Sequence, residues 1–96
     1  MSYETHIQSV PGAEDKEIML FTLSTCIWCR KTKKLLQDLG LAYDYIDVDL
    51  LESDDKEEAM KEMWKYNSST SFPTMVVNGG AEVILGLDEP QIRKLA

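Results

Sequence analysis

The feature that most constrains this chain is a junction. The continuous apolar run Ile18-Met19-Leu20-Phe21-Thr22-Leu23 gives way, after Ser24 and Thr25, to Cys26-Ile27-Trp28-Cys29 and an amphipathic stretch. The run is too short for a helix and predicts a buried strand, typical of a sheet covered on both faces. From Cys29 to Leu39 the period becomes helical. Thr32, Leu35, Leu36 and Leu39 share one face, while Arg30, Lys33, Lys34 and Gln37 share the other. Gly40 supplies a left-handed cap. Ala42 to Val48, rich in aromatic and β-branched residues, predicts a second strand. A strand, a crossover helix and a strand make a βαβ unit with parallel strands.

The rest of the chain builds on that unit. Ser53 or Asp54 is the expected cap of a second helix running to about Tyr66, with Ala59, Met60, Met63 and Trp64 as its core stripe. Asn67 to Ser71 is a polar loop. Thr74 to Val77 predicts a third strand, which Asn78-Gly79-Gly80 turns back into Glu82 to Leu85. Asp88, with Gln91 three residues on, caps a last short helix, and Pro90 sits in its first turn. Residues 1–17 read as an extension, either a tail or the first arm of a hairpin with the strand that follows. Within it, Ile7 to Val10 can form a short strand, Pro11-Gly12 is a turn signal and His6 is expected in solvent. Residues 18–96 form one domain, since 96 residues allow no more.

The chemistry sits at the junction. Cys26 falls at the start of the helix, where free N–H groups and the positive end of the dipole favour a thiolate, the form that attacks disulfides. Arg30, Lys31 and Lys33 add positive charge within the next turns. Cys29 lies one turn on, close enough to close a small ring with Cys26. A Cys-x-x-Cys alone is also compatible with half of a metal site or with inert thiols; its place inside a βαβ unit favours redox work. Asp47 or Asp49, at the end of the second strand, is a candidate proton acceptor near the pair. Pro73, at the start of the third strand, suits a position that donates nothing to the sheet, and beside a Cys-x-x-Cys it suggests a cis bond.

Composition excludes several classes. Two cysteines and one histidine cannot complete a four-ligand zinc site from one chain. A net charge of -7 argues against nucleic acid as a partner. No apolar run approaches the roughly 20 residues of a membrane span. The first residues show no secretion signal, so the expected location is a reducing cytoplasm. The acids between Asp44 and Glu62 read as a solvated surface, or as a patch that steers a basic partner.

With these motifs the chain resembles the glutaredoxins of the thioredoxin fold, and the glutaredoxin-like redoxins that serve ribonucleotide reductase (the NrdH type). The matching residues run from Leu23 through Cys26 and Cys29 to Lys33, then Ser71-Phe72-Pro73-Thr74, then Leu85-Gly86-Leu87-Asp88-Glu89-Pro90. The resemblance implies an α/β thioredoxin fold, a mixed four-stranded sheet flanked by three helices, with an extra N-terminal strand if residues 1–17 supply one. It implies Cys26 as the attacking and Cys29 as the resolving cysteine, and Pro73 as the family's cis-proline. Thr25, Ile27, Trp28, Phe72, Gly86 and Leu87 would form the substrate-contacting rim, with Phe72 offering backbone hydrogen bonds to a substrate strand.

The departures concern glutathione. Glutathione-using glutaredoxins usually carry Pro-Tyr between the cysteines, where this chain has Ile27-Trp28. They usually place a lysine three residues before the first cysteine, where this chain has Leu23, and their glycine pair is here Leu85-Gly86. Loss of one charge-assisted contact weakens binding by roughly 1.5–3 kcal/mol. Lys33, Lys34 or Lys65 would have to substitute. The expectation is therefore a monomeric dithiol carrier with no bound cofactor or metal. It would reduce disulfide-containing proteins such as ribonucleotide reductase and be recycled by a thioredoxin-reductase-like or ferredoxin-dependent reductase. The alternatives are a glutathione-dependent glutaredoxin and a dimer sharing an iron–sulfur cluster or zinc ion.

Overall fold

A computed structural model describes residues 3–96; Met1 and Ser2 of the extension lie outside the described residues. The strands are β1 (Gln8–Val10), β2 (Ile18–Thr22), β3 (Tyr43–Asp47), β4 (Thr74–Val77) and β5 (Glu82–Leu85). The helices are α1 (Ile27–Asp38), α2 (Ser53–Trp64) and α3 (Glu89–Arg93). The sheet order is β1-β3-β2-β4-β5, with β2 and β3 parallel and every other pair antiparallel. This is the thioredoxin fold expected from the sequence, with the extra N-terminal strand present.

Strand alternation divides the core between the two faces. Ile18 and Leu20 of β2, Met75 and Val77 of β4, and Tyr43 of β3 pack with Leu35 and Leu36 of α1 and with Ile92 and Leu95 from the α3 region. On the opposite face Phe21, Ile46 and Val76 pack with Ala59 and Met63 of α2. Because helices cover both faces, β2 and β4 are buried almost throughout, which is why they read as continuous apolar runs. The end of α1 is a Schellman turn: the Gly40 N–H donates to the Gln37 carbonyl, the Leu41 N–H donates to the Leu36 carbonyl, and Gly40 sits at φ 72°. Among the described residues, no helix is long and apolar enough to cross a membrane.

Four details differ from the sequence expectation. The N-terminal strand does not form a hairpin with β2; it lies antiparallel to β3, with Gln8 opposite Tyr45. The reason is that β2 is central, and β3 and β4 already occupy both of its hydrogen-bonding sides. The arm is drawn instead to the start of β3, where the Ala13 N–H donates to the Gly40 carbonyl and the Ala42 N–H to the Ala13 carbonyl. Helix α1 begins at Ile27, so the exposed pair between the cysteines already belongs to its first turn. The N-cap of α2 is Glu52, without a side-chain bond, and Ser53 and Asp54 lie inside the helix. Trp64 is exposed and not part of the core; its Nε1 donates to Thr70 Oγ1 at 2.9 Å. The cap of α3 matches expectation, with the Gln91 N–H donating to Asp88 Oδ1.

Candidate active site

The two cysteines occupy unlike environments. Cys26 is the N-cap of α1, in extended conformation, with its side chain half-buried. Its Sγ accepts the backbone N–H of Cys29 at 3.2 Å. That N–H is one of those a helix leaves unsatisfied at its start, so the sulfur takes the place a Ser or Asp usually fills. Cys29, three residues on and facing inward, is fully buried. Burial pushes its thiol up to about 12, and the neighbouring Cys26 adds to the shift, while the Leu23 backbone and the Lys33 charge oppose it. Cys29 is therefore protonated at neutral pH.

The turn before Cys26 is fixed from two sides. The Cys26 N–H donates to the Leu23 carbonyl. Asp49, in the single 3-10 turn after β3, accepts the Ser24 N–H at 2.8 Å and the Ser24 hydroxyl at 2.5 Å. Slight burial works against the Asp49 charge, but the Ser24 bonds and the nearby Lys56 hold its carboxyl below the ordinary range. From α1, Arg30 Nη2 reaches the Ser24 carbonyl at 3.5 Å. One step back along both strands, Thr22 Oγ1 donates to Asp47 Oδ1 at 2.7 Å, and Lys33 pairs with the same oxygen at 3.4 Å.

The three cations expected to favour a thiolate thus have other engagements. Arg30 reaches Ser24, and Lys33 pairs with Asp47 and lies 3.8 Å from the Tyr45 ring centroid. Lys31 lies 4.8 Å from the Trp28 ring centroid. Asp47 and Asp49, the candidate proton acceptors, are bonded to Thr22, Lys33 and Ser24.

Around the pair lies an apolar rim. Ile27 is 58% and Trp28 52% exposed, and Thr25 is exposed beside them. Pairing of Phe21 with Thr74 sets Pro73 beside the end of β2 that leads to Cys26. The Phe72–Pro73 bond is cis. The Gly86 N–H donates to the Pro73 carbonyl at 2.9 Å, which brings Gly86 and the half-buried Leu87 to the same end of the sheet. Gly86 has φ 70°, a left-handed conformation that a glycine adopts at no steric cost.

Asn67 carries a role the sequence reading missed. It is buried, and its Nδ2 reaches the Ser71 carbonyl, Ser71 Oγ and Thr74 Oγ1, the last at 2.8 Å. Its Oδ1 accepts the Ser69 N–H and hydroxyl. One amide thereby organises the loop that carries Pro73. The cluster Asn67-Ser68-Ser69-Thr70-Ser71, dense in residues that bond their own backbone, was the available signal.

The lysines that would have to anchor glutathione are each paired: Lys33 with Asp47, Lys34 with Asp38 and Lys65 with Glu62. Among the described residues, no group of three or more His, Cys, Asp or Glu side chains is arranged to hold a metal ion.

Residues 18–81 match the Glutaredoxin family model. An uncharacterised glutaredoxin-like 8.6 kDa protein of the rubredoxin operon of Clostridium pasteurianum is 31% identical over 78 residues, covering 81% of this chain and 95% of that one. The crystal structure of a glutaredoxin from Methanosarcina mazei superposes with a TM-score of 0.84 at 42% identity, over 94% of this chain and 86% of that one. Methanosarcina acetivorans methanoredoxin superposes with a TM-score of 0.81 at 46% identity, over 86% of each chain. Fold, cysteine pair and cis-proline converge with these likenesses, and the chain belongs to the glutaredoxin family, a thiol oxidoreductase in its general chemistry.

Proposed function

We propose that the protein is a dithiol carrier that reduces protein disulfides through Cys26 and Cys29. The observation that carries this reading is the asymmetry of the pair: Cys26 is half-exposed and bonded by the Cys29 N–H, while Cys29 is fully buried and protonated. The Cys26 thiolate attacks one sulfur of a substrate disulfide. A Cys26–substrate bond forms, the substrate's own S–S bond breaks, and the released thiolate takes a proton. Cys29 then gives up its proton and attacks Cys26 Sγ. The Cys26–Cys29 bond forms and the second substrate sulfur leaves as a thiol. Two electrons have passed from the protein to the substrate, and a reductase restores the dithiol.

The apolar rim of Ile27 and Trp28 supports a protein substrate, since exposed aromatic and aliphatic side chains suit a docking surface. A reductase protein of the thioredoxin-reductase or ferredoxin-dependent kind is the proposed electron source. Leu23 in place of the glutathione-pairing lysine supports that choice, as does the pairing of the less exposed Lys33 with Asp47. Ribonucleotide reductase is a target of the proposed type, and a reducing cytoplasm is the proposed setting. Monomeric action is proposed too: with Cys29 buried, one chain offers an outside metal or cluster a single accessible thiolate, Cys26, and two chains alone would supply only two of four ligands.

Two measurements test this. Cys26→Ser should abolish reduction of a model protein disulfide, and Cys29→Ser should accumulate a mixed disulfide visible by mass spectrometry. Full turnover by both variants would overturn the reading. A panel then compares NADPH with a thioredoxin-reductase-type enzyme, reduced ferredoxin with its reductase, and glutathione with glutathione reductase. Efficient recycling by glutathione alone would replace the reductase-protein reading with a glutathione-dependent one. A visible chromophore after anaerobic purification would favour the cluster-bound dimer.

A further inference from the structure

The parallel ladder between β2 and β3 ends at the pair Thr22 and Asp47. Two residues further along each chain stand Ser24 and, in the 3-10 turn after β3, Asp49; there the strand pairing has ended, and the Asp49 carboxylate joins the two segments instead by accepting the Ser24 N–H and hydroxyl. Thr22–Asp47 and Ser24–Asp49 thus each join a β-hydroxyl residue of the cysteine approach to a carboxylate at or just after the end of β3. Helix α1 closes both: Lys33 pairs with Asp47, and Arg30 reaches the carbonyl of Ser24. The second pair is the one next to the nucleophile. Ser24 lies two residues before Cys26, and its N–H and hydroxyl go to two different oxygens of one carboxylate. Such two-point contact fixes orientation as well as distance.

We propose that Asp49 is a positioning residue for Cys26: by gripping Ser24 at two points it fixes the Leu23–Thr25 turn that delivers the nucleophile to the N-terminus of α1. The assignment rests on Cys26 being the attacking sulfur. It explains why an acidic side chain stands near a site otherwise rich in cations. Asp49 is exposed, and its oxygens are occupied by Ser24. A loose turn would let Cys26 Sγ leave the Cys29 N–H, and reactions at a sulfur are sensitive to small misplacements. Arg30 then belongs to the same device, holding the turn from the helix side.

The test measures alkylation of Cys26 by iodoacetamide at neutral pH in a Cys29→Ser background, alongside thermal unfolding. Asp49→Ala should slow alkylation about fivefold, as expected for losing a pair of hydrogen bonds. Asp49→Asn is the rescue: its Oδ1 can accept the Ser24 N–H and its Nδ2 can donate to Ser24 Oγ, so the rate should stay within about twofold of the parent. Ser24→Ala, which keeps the N–H bond, should fall between them, and it carries the test if Asp49→Ala fails to fold. In the dithiol protein, Asp49→Ala should also shift the Cys26–Cys29 reduction potential and Asp49→Asn should not, a readout that a purely structural loss does not produce. A parent-like rate in both Asp49→Ala and Ser24→Ala would overturn the assignment. So would equal losses in Asp49→Ala and Asp49→Asn, or a faster rate in both, either of which assigns the effect to charge. An unreactive Cys26 in the parent would instead refute the functional reading itself.

Discussion

The backbone N–H of Cys29 points at the Sγ of Cys26 across 3.2 Å. One residue thus contributes twice: its amide engages the sulfur proposed as the attacking one, and its own thiol lies buried. The helix start makes the first contact possible, because N–H groups there have no partner within the helix. The inward-facing position of Cys29 makes the second possible, because burial keeps that thiol neutral until it is needed.

That division predicts a pH signature in stability. The Cys29 thiol is raised from 9.0 to about 12 in the folded chain. Between those values the unfolded chain has released the proton while the folded chain still holds it. Stability is therefore full below about pH 9 and falls as pH rises, at a limiting slope of about 1.4 kcal/mol per pH unit for one proton. Urea unfolding of the reduced protein from neutral pH to about pH 10 should show the decline. Tyr3, pushed up to about 12 by burial and by Glu62, adds in the same direction above its ordinary 10.0. In Cys29→Ser the part below that value should disappear.

Trp28→Ala should raise KM for protein disulfides several-fold while altering stability by less than about 1 kcal/mol. The ring is 52% exposed and touches Lys31, a contact worth roughly 0.5–1 kcal/mol at the surface. Steady-state kinetics with a protein and with a small disulfide should separate the two effects, the small substrate being little affected.

Asn67→Ala should destabilise the protein by about 1–3 kcal/mol, because Ser71, Thr74 and Ser69 all lose a partner in a partly buried loop. Since that loop carries Pro73, kcat/KM should fall as well, by more than the unfolded fraction accounts for. Urea midpoints and kinetics on the same preparations check both.

Gly12→Ala should cost about 1–3 kcal/mol, the range for overpacking. A Cβ at that position would stand 2.6 Å from both the Ala42 nitrogen and the Leu41 carbonyl carbon, which are backbone atoms with little room to yield. The arm would lift from the start of β3, and hydrogen exchange at Ala13 and Ala42 should accelerate while cysteine chemistry persists.

What was readable in the sequence was mostly local. The cysteines, the buried strand before them and the helix after them are neighbours in the chain, and Asp88 and Gln91 lie three residues apart, so pattern alone placed them. The partner of β1 was not readable, because it depends on which strand has a vacant side once the sheet is assembled. The Asp49–Ser24 contact joins residues 25 apart, and nothing at either position marks the other. Asn67 looked like any polar loop residue until packing enclosed it. Trp64 sits at the margin of an apolar stripe, where a large ring with a polar N–H can turn outward to Thr70.

The placement of β1 has a consequence for how copies of this chain behave together. A strand with an open flank is a template on which another molecule can extend a sheet. Without residues 8–10, the flank of β3 from Tyr43 to Tyr45 would be such a template. With them, the sheet ends on a short, polar-faced segment that Pro11 follows at once. Short margins and prolines are the devices by which soluble proteins discourage intermolecular strand addition. The arm therefore leaves this edge of the sheet a poorer template for strand addition than the bare flank of β3 would be.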